Sequence, residues 1–319
     1  MYALNDYLWM LADERRVAAY LGAITAQVRP GDRVIEIGAG FGFFSMMAAR
    51  AGASHVDAVE INPIGHLGTR IAAANGHDSQ IRFHVADALT FEPERRADVV
   101  IADLRGPMPF AGQSLQVMID ARRRLLRDGG ILIARADRLW CAPVSRADAF
   151  ERQVGAPLTQ LGVDLEAVRR VVVDTPMRCG IATAEICAAP ASWGLIDYLT
   201  IDRPSFRGSC EWRFDGPTSV RGLATWFEAD LGAGYTFSTS PDAGRSVYSQ
   251  LYIPFRDTVS LDRGDTLQLD LASHLAGEDY VWAWTTRVLD GDGAQRLVVT
   301  QNSIAAQVID PAVPRHRSS

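Results

Sequence analysis

The sequence predicts two domains: an α/β domain with a doubly wound parallel sheet, then a domain of antiparallel β-strands. Between residues 32 and 60 an apolar strand, a glycine turn, a helix and a second strand follow one another. Strands keep alternating with helices to about residue 134, which is typical of a parallel sheet. The pattern changes near residue 143, and beyond about residue 170 apolar residues recur at every second position, a period that favours antiparallel strands.

The composition is that of a folded chain and argues against a nucleic-acid partner. The 319 residues suffice for one large or two ordinary domains, and 48% of them are hydrophobic. The net charge of −6 gives no broad basic surface of the kind that duplex nucleic acid requires. We interpret the arginine run at 122–124 as the solvated face of a helix.

Metal sites and membrane segments are not expected. The four cysteines lack the paired spacing of zinc sites, and histidines such as His55 and His84 lack partners at i, i+4. The start of the chain does not resemble a signal peptide, and no apolar run is long enough to span a membrane. We therefore expect a cytoplasmic protein with reduced thiols and no membrane partner.

A glycine turn follows the first apolar strand, with Gly38, Gly40 and Gly42 at alternate positions. Glycine adopts positive φ without steric cost and leaves the backbone open, so we expect a nucleotide-type ligand there. A dinucleotide fingerprint would place its third glycine where this chain has Phe43, which disfavours a nicotinamide dehydrogenase. A glycine turn that binds nothing is the simpler alternative, and the acid Glu60 at the end of the second strand argues against it.

Hydrophobic periodicity predicts the elements of the first domain in order. A helix is expected over 7–24, and Pro30-Gly31 separates it from the first strand. The other predicted elements are helices at 43–50, 63–75 and 115–126 and strands at 55–59, 81–85, 97–102 and 131–134. Four acids fall near or just past the ends of these strands: Glu36, Glu60, Asp87 and Asp103. Because ligands bind at that edge of a doubly wound sheet, we expect the four to share a site.

The second domain is predicted as a sandwich or barrel. Residues 148–170 have helical periodicity broken at 155–157, and alternating strands follow, for example at 267–271. Trp282 and Trp284 share one face of a strand, which favours barrel core over a stacking platform for a substrate. The tail from Pro311 is expected to fray.

Three segments resemble the protein arginine methyltransferases. Met10-Leu11-Ala12-Asp13-Glu14-Arg15-Arg16 with Tyr20 is similar to the M-L-x-D-x-x-R-x-x-x-Y helix that closes over the cofactor in that family. Residues 45–53 are similar to the family's S-M-F-A-A-K-A-G-A, and 234–241 to the G-F-S-T-S-P of its barrel. The resemblance implies a seven-stranded-type domain at 1–144 that binds S-adenosylmethionine. It also implies a β-barrel substrate domain at 145–319, with a helical arm at about 151–176 that makes a homodimer.

The resemblance also implies roles at the cofactor site. Arg16 would pair with the cofactor's carboxylate, Glu60 would hold the ribose hydroxyls, and Gly38 and Gly40 would present bare backbone. Asp87 would accept the adenine amino group, unless it is a turn aspartate. Glu36 is expected to organise the glycine loop rather than to react.

The acceptor loop departs from the family's pattern. The family holds its arginine with two glutamates, in S-E-W-M-G and Y-E-S-M, where this chain has Asp103 and Gly112. Its Thr-His-Trp turn corresponds here to residues 246–248. Two carboxylates clamp a guanidinium through paired charged hydrogen bonds, and one aspartate cannot form that clamp. The predicted acceptor is therefore a small-molecule or peptide nitrogen, with a guanidino group among the candidates.

Two residues of this loop are the candidate catalytic residues. Asp103 is expected to orient or deprotonate the acceptor. Arg105 would either pair with Asp103 or bind an anionic group of the substrate. The alternatives are a loop whose charges merely pair with each other and, for the whole chain, a regulatory homologue without transfer activity.

Overall fold

The computed structural model describes residues 3–152 and 164–305. Its helices are α1 Leu4–Ala12, α2 Glu14–Gln27, α3 Phe43–Arg50, α4 Gly65–Ala74, α5 Ser114–Asp120 and α6 Glu166–Val173. The strands of the first half are β1 Arg33–Ile37, β2 His55–Glu60, β3 Ile81–Val85, β4 Ala97–Ala102, β5 Leu126–Ile133 and β6 Ala136–Val144. Those of the second half are β7 Met177–Cys179, β8 Ala191–Asp197, β9 Ser205–Arg213, β10 Thr218–Asp230, β11 Thr236–Ser238, β12 Gln250–Leu261, β13 Thr266–Ala276, β14 Asp279–Leu289 and β15 Gln295–Asn302.

The first sheet is parallel, with the strand order β3-β2-β1-β4-β5. The reversal of order beside β1 is the switch point at which doubly wound sheets bind ligands. The predicted fold class is confirmed, although this parallel sheet has five strands within the described residues rather than seven. β1 and β4 are buried along nearly their whole length, because helices cover a parallel sheet on both faces.

The single helix predicted over 7–24 is in fact two helices that meet at Asp13. Asp13 accepts a hydrogen bond from the backbone N–H of Arg16, which caps the start of α2. The other oxygen of Asp13 accepts hydrogen bonds from Ser246 Oγ and from the N–H of Val247, both at 3.0 Å. One carboxylate therefore starts α2 and attaches it to a loop of the second half of the chain.

The change from parallel to antiparallel pairing comes earlier than the pattern change near residue 143. β6 follows β5 almost immediately, and it pairs with β10 and β8 in an antiparallel sheet. The domain boundary at 144 stays a prediction, but the strand just before it pairs with strands of the second half. By its pairing, β6 is an inner strand of an antiparallel sheet that otherwise consists of strands from the second half.

The second half, together with β6, forms two antiparallel sheets, as the period of two predicted. One has the order β7-β12-β10-β6-β8, and the other β15-β14-β13-β9. Trp282 and Trp284 are 6% and 1% exposed, so both lie in the core. Trp282 packs edge-on against Phe110 at 5.2 Å between ring centroids, which joins this core to the loop after β4.

The predicted arm at 151–176 lies only partly in the described residues. Its described end contains α6, which packs against β12. Residues 153–163 and the tail from 306 lie outside the described residues, and so does the predicted fraying of Pro311 onward. Within residues 3–152 and 164–305, no helix has the length and apolar character needed to cross a membrane.

Candidate functional site

The glycine loop connects β1 to α3 and is tightly packed. Gly38, Gly40 and Gly42 have φ values of 70°, 56° and 83°, in the left-handed region that favours glycine. A Cβ on Gly40 would lie 2.9 Å from the ring of Tyr7, and one on Gly38 would lie 2.9 Å from Leu104 Cδ2. The loop therefore lies between α1 on one side and the segment that follows β4 on the other.

Glu60 closes this loop from the end of β2. Its Oε2 accepts a hydrogen bond from the N–H of Gly40, and its Oε1 accepts one from the N–H of Asn62, both at 2.8 Å. The residue is 6% exposed. A carboxylate oxygen can accept two hydrogen bonds, so each oxygen of Glu60 can also accept one from a ligand hydroxyl.

Glu36 lies under the loop, as expected of a residue that organises it. It is buried, and Ser45 at the start of α3 donates a hydrogen bond to its carboxylate. Burial raises the pKa of Glu36 to about 8, although the hydrogen bonds from Ser45 act in the opposite direction. Glu36 is therefore largely protonated at neutral pH.

Asp103 stands just past the end of β4 with its carboxylate buried. Arg16 Nε lies 2.6 Å and Tyr248 Oη 2.5 Å from its Oδ2, while Arg105 Nη1 lies 2.9 Å from its Oδ1. Burial opposes ionisation, but the charges of Arg16 and Arg105 and the hydrogen bond from Tyr248 outweigh it and hold the pKa of Asp103 below its ordinary value. Asp103 is thus an ionised carboxylate at the ligand-binding edge of the sheet.

Arg105 pairs with Asp103, which was one of the two predicted alternatives. Its Nε and Nη2 also donate to the two oxygens of Asp137, both at 2.8 Å. Its Nη1 donates a further hydrogen bond to Tyr20 Oη at 2.8 Å. With only 3% of its side chain exposed, Arg105 presents no group to an anionic ligand.

Arg16 lies on α2 and faces Asp103. Besides its bonds to Asp103 and Tyr248, its Nη1 donates to the carbonyl of Met10 at 3.0 Å. The donors in these hydrogen bonds are Nε and Nη1, and Nη2 takes no part in them. The guanidinium lies over the rings of Phe44 and Tyr20, at 5.3 and 5.6 Å.

Asp87 lies past the end of β3, beside the end of β2. Its Oδ1 accepts a hydrogen bond from the N–H of Leu89 at 2.9 Å, and its carbonyl accepts one from Thr90. It is thus in the arrangement of a turn aspartate, the predicted alternative to binding adenine. Its second carboxylate oxygen is not used in that turn.

The structure thus brings Glu36, Glu60, Asp103 and Arg16 together around the glycine loop. The sequence does not indicate three neighbours of Arg105 and Asp103, which are Asp137, Tyr198 and Tyr248. In particular, it does not show that Tyr248 donates a hydrogen bond to Asp103. In the sequence, Tyr248 stands out only as a departure from a family turn. The signal for Asp137 was a single acid in an otherwise apolar and basic strand, and nothing local shows that it faces Arg105.

Comparisons with known proteins agree with this geometry. A family model described as a methyltransferase domain matches residues 34–130, which contain the glycine loop and Glu60. The arginine N(omega)-methyltransferase of Streptomyces achromogenes subsp. streptozoticus is 27% identical over 269 residues, which are 82% of this chain and 74% of that protein. Protein arginine N-methyltransferase 6 of Xenopus laevis is 24% identical, over 82% of this chain and 81% of its own.

Solved structures match over nearly the whole chain. Protein arginine methyltransferase 10 of Arabidopsis thaliana aligns with a TM-score of 0.80 at 19% identity, covering 94% of this chain and 97% of that one. The enzyme–prozyme heterotetrameric complex of Trypanosoma brucei PRMT1 with AdoHcy aligns with a TM-score of 0.83 at 17% identity, covering 93% and 97%.

The chain is a class I S-adenosylmethionine-dependent methyltransferase with the architecture of the protein arginine methyltransferases. The site of this methyltransferase suits that cofactor by its own donor set. Glu60 has acceptor capacity for the two ribose hydroxyls, and the glycine backbone beside it carries no side chain. Arg16 supplies a cation at the same edge of the sheet.

Within the described residues, His, Cys, Asp and Glu side chains form no group of three arranged to hold a metal ion. The described cysteines are free thiols: Cys141, Cys179, Cys187 and Cys210.

Proposed function

We propose that this methyltransferase transfers a methyl group to a guanidino nitrogen of a small molecule or peptide. The observation that carries the proposal is the ionised carboxylate of Asp103 just past the end of β4, beside the glycine loop, with 5% of its side chain exposed. Methyl transfer leaves positive charge on the accepting nitrogen, and a nearby carboxylate stabilises that charge. The relative named arginine N(omega)-methyltransferase and those named protein arginine N-methyltransferases support the guanidino group.

Asp103 has room for one acceptor hydrogen bond. A carboxylate offers about four lone-pair sites, and the hydrogen bonds from Arg16, Tyr248 and Arg105 use three of them. The unused site is on Oδ1, the oxygen that faces Arg105. We propose that an N–H of the acceptor binds there, which orients the nitrogen without the two-glutamate clamp.

The cofactor supplies an electrophilic methyl group on its sulfonium sulfur. We propose that Glu60 accepts hydrogen bonds from the two ribose hydroxyls and that Gly38 and Gly40 contact the nucleoside through backbone. Arg16 would bind the cofactor's carboxylate through Nη2, while its Nε stays on Asp103. Asp87 would accept from the adenine amino group through its second oxygen.

The test is release of S-adenosylhomocysteine, measured with free arginine and with an arginine-containing peptide as acceptors. We expect release with at least one of them, and we expect Asp103→Asn to abolish it while S-adenosylhomocysteine still binds with wild-type affinity in calorimetry. Full turnover in Asp103→Asn would remove the assignment of Asp103.

A second candidate is a homologue that binds the cofactor without transferring the methyl group. It is favoured by the way in which Asp103 and Arg105 already satisfy each other's charge. Cofactor binding with no release of S-adenosylhomocysteine, for any acceptor in a lysate of the native host, would support it over transfer.

We further propose a cytoplasmic homodimer whose arm includes α6. The free thiols support a reducing compartment, and the exposed Val168 on α6 supports a contact surface there. Light scattering at high concentration tests the dimer, and a strict monomer would contradict it.

A further inference from the structure

The guanidinium of Arg105 is bound by a second carboxylate besides Asp103, that of Asp137. In the proposed function, Asp137 does not contact the methyl acceptor. Asp137, at the start of β6, has no exposed surface and accepts two parallel hydrogen bonds from Nε and Nη2 of Arg105. Tyr198 Oη donates a third hydrogen bond to Asp137 at 2.5 Å. A planar guanidinium paired in this way has a fixed orientation as well as a fixed position.

Aromatic rings restrict the same guanidinium. Its central carbon lies 5.4 Å from the ring centre of Phe227 and 5.8 Å from that of Phe237. The one remaining terminal nitrogen, Nη1, donates to Tyr20 Oη and to Asp103 Oδ1. The orientation that Asp137 imposes on Arg105 therefore reaches the oxygen of Asp103 that has the unused lone pair.

The charges around Asp103 are balanced only when Asp137 is included. Arg16 approaches from α2 and Arg105 from its own loop, and the polar hydroxyl of Tyr248 approaches from the second half of the chain. Two guanidinium groups thus face one carboxylate, and Asp137 compensates the second from the far edge of Arg105.

We propose that Arg105 and Asp137 form a positioning pair for Asp103: Asp137 fixes the guanidinium, and the guanidinium fixes the orientation and the charge of the carboxylate that meets the methyl acceptor. This inference rests on the proposed function. It replaces the expectation that Arg105 binds an anionic substrate group, since the guanidinium is buried and each of its three nitrogens donates to Asp137, or to Tyr20 and Asp103.

The decisive variant is Arg105→Met/Asp137→Ala, which removes both charges together and leaves no unpaired buried ion. A matched control is Arg256→Met/Asp174→Ala, which removes a pair of the same two-bond geometry whose arginine is half exposed. We expect the first variant to fold and to bind S-adenosylhomocysteine as the wild type does. We expect its kcat to fall about 10- to 100-fold, because Asp103 loses its orientation.

The pH profile separates positioning from packing. Loss of the nearby positive charge should move the acid limb of kcat/KM upward by about one to three pH units, whereas the control variant should keep the wild-type profile. Arg105→Lys retains the charge without the paired bonds, so we expect it to keep the acid limb but to lose kcat. Wild-type kcat and an unchanged acid limb in Arg105→Met/Asp137→Ala would overturn the inference.

A readout without turnover distinguishes this inference from the proposed function. The carboxyl carbon of Asp103 can be titrated by NMR in protein labelled with carbon-13 at aspartate, with Asp103→Asn for assignment. We expect it to titrate at higher pH in the pair variant than in the wild type. An inactive wild type with that shift would overturn the proposed function alone, whereas identical titrations would overturn the positioning pair.

Discussion

Ser45 Oγ donates a hydrogen bond to the carboxylate of Glu36, and the two buried side chains join the start of α3 to β1 beneath the glycine loop. Burial raises the pKa of Glu36 to about 8, from an ordinary value of 4.5. The native state therefore binds a proton between these pH values that the unfolded chain has released. A neutral carboxyl group can still accept the hydrogen bond from Ser45.

Stability should fall as the pH rises through this window. Below about pH 4.5 Glu36 is protonated in both states, and between pH 4.5 and 8 the free energy of unfolding should drop by about 1.4 kcal/mol per pH unit from this group. Glu36→Gln imitates the protonated form and should remove that contribution. Urea unfolding at pH 5, 6, 7 and 8 measures the free energy of unfolding of the wild type and of Glu36→Gln, and the expected difference is on the order of kcal/mol. An equal change of this free energy with pH in the two proteins would contradict the raised pKa of Glu36.

The ribose assignment of Glu60 predicts a large loss of cofactor affinity. Glu60→Ala removes a charged acceptor of two hydroxyl hydrogen bonds, so S-adenosylhomocysteine should bind at least about 30-fold more weakly in calorimetry. Asp57→Asn is a matched control, because Asp57 lies on the same strand but accepts from His55 and His84 instead. Unchanged affinity in Glu60→Ala would remove the assignment.

The strands of the parallel sheet could be predicted because they are buried on both faces. β4 has the predicted bounds of 97–102, since four successive apolar residues, 99–102, follow one another there. β6 was missed, because Asp137 and Arg138 interrupt its apolar pattern. Its assignment depends on pairing with β10, far along the chain, which local periodicity does not detect.

The residues of the candidate site also fall into a part that the sequence predicts and a part that it does not. Glu60 and the glycines could be predicted because they belong to one local unit of strand, turn and strand. Arg105 is a near neighbour of Asp103 in the sequence, and their pairing could also be predicted. The other two partners of Asp103, Arg16 and Tyr248, come from α2 and from the loop before β12, and sequence spacing does not indicate which side chains meet across such distances. Asp137 could not be predicted for that reason, nor could the meeting of His55 and His84 at Asp57.

The packing of α1 on the glycine loop predicts the effect of a methyl group at Gly40. Gly40→Ala strains a residue at φ 56° and places Cβ 2.9 Å from the ring of Tyr7. We expect about tenfold weaker binding of S-adenosylhomocysteine, since α1 or the loop must move. Gly76→Ala is the control: its φ is 75°, but its Cβ would meet no atom within 4 Å. Gly76→Ala should lose stability and keep its affinity for S-adenosylhomocysteine. An equal loss of affinity in the two variants would show that backbone strain, and not the contact with Tyr7, causes the effect.

Asp137→Ala should be among the most destabilising single substitutions in the chain. It leaves the guanidinium of Arg105 buried without its paired carboxylate, and breaking such a pair costs about 3–5 kcal/mol. Removing both partners in Arg105→Met/Asp137→Ala should cost clearly less, because no uncompensated charge remains. Asp174→Ala breaks the pair with Arg256, whose side chain is half exposed, and should cost about 1 kcal/mol or less. Urea unfolding at pH 7 measures the free energy of unfolding of these variants. A smaller loss in Asp137→Ala than in Arg105→Met/Asp137→Ala would mean that Arg105 finds another partner when Asp137 is absent.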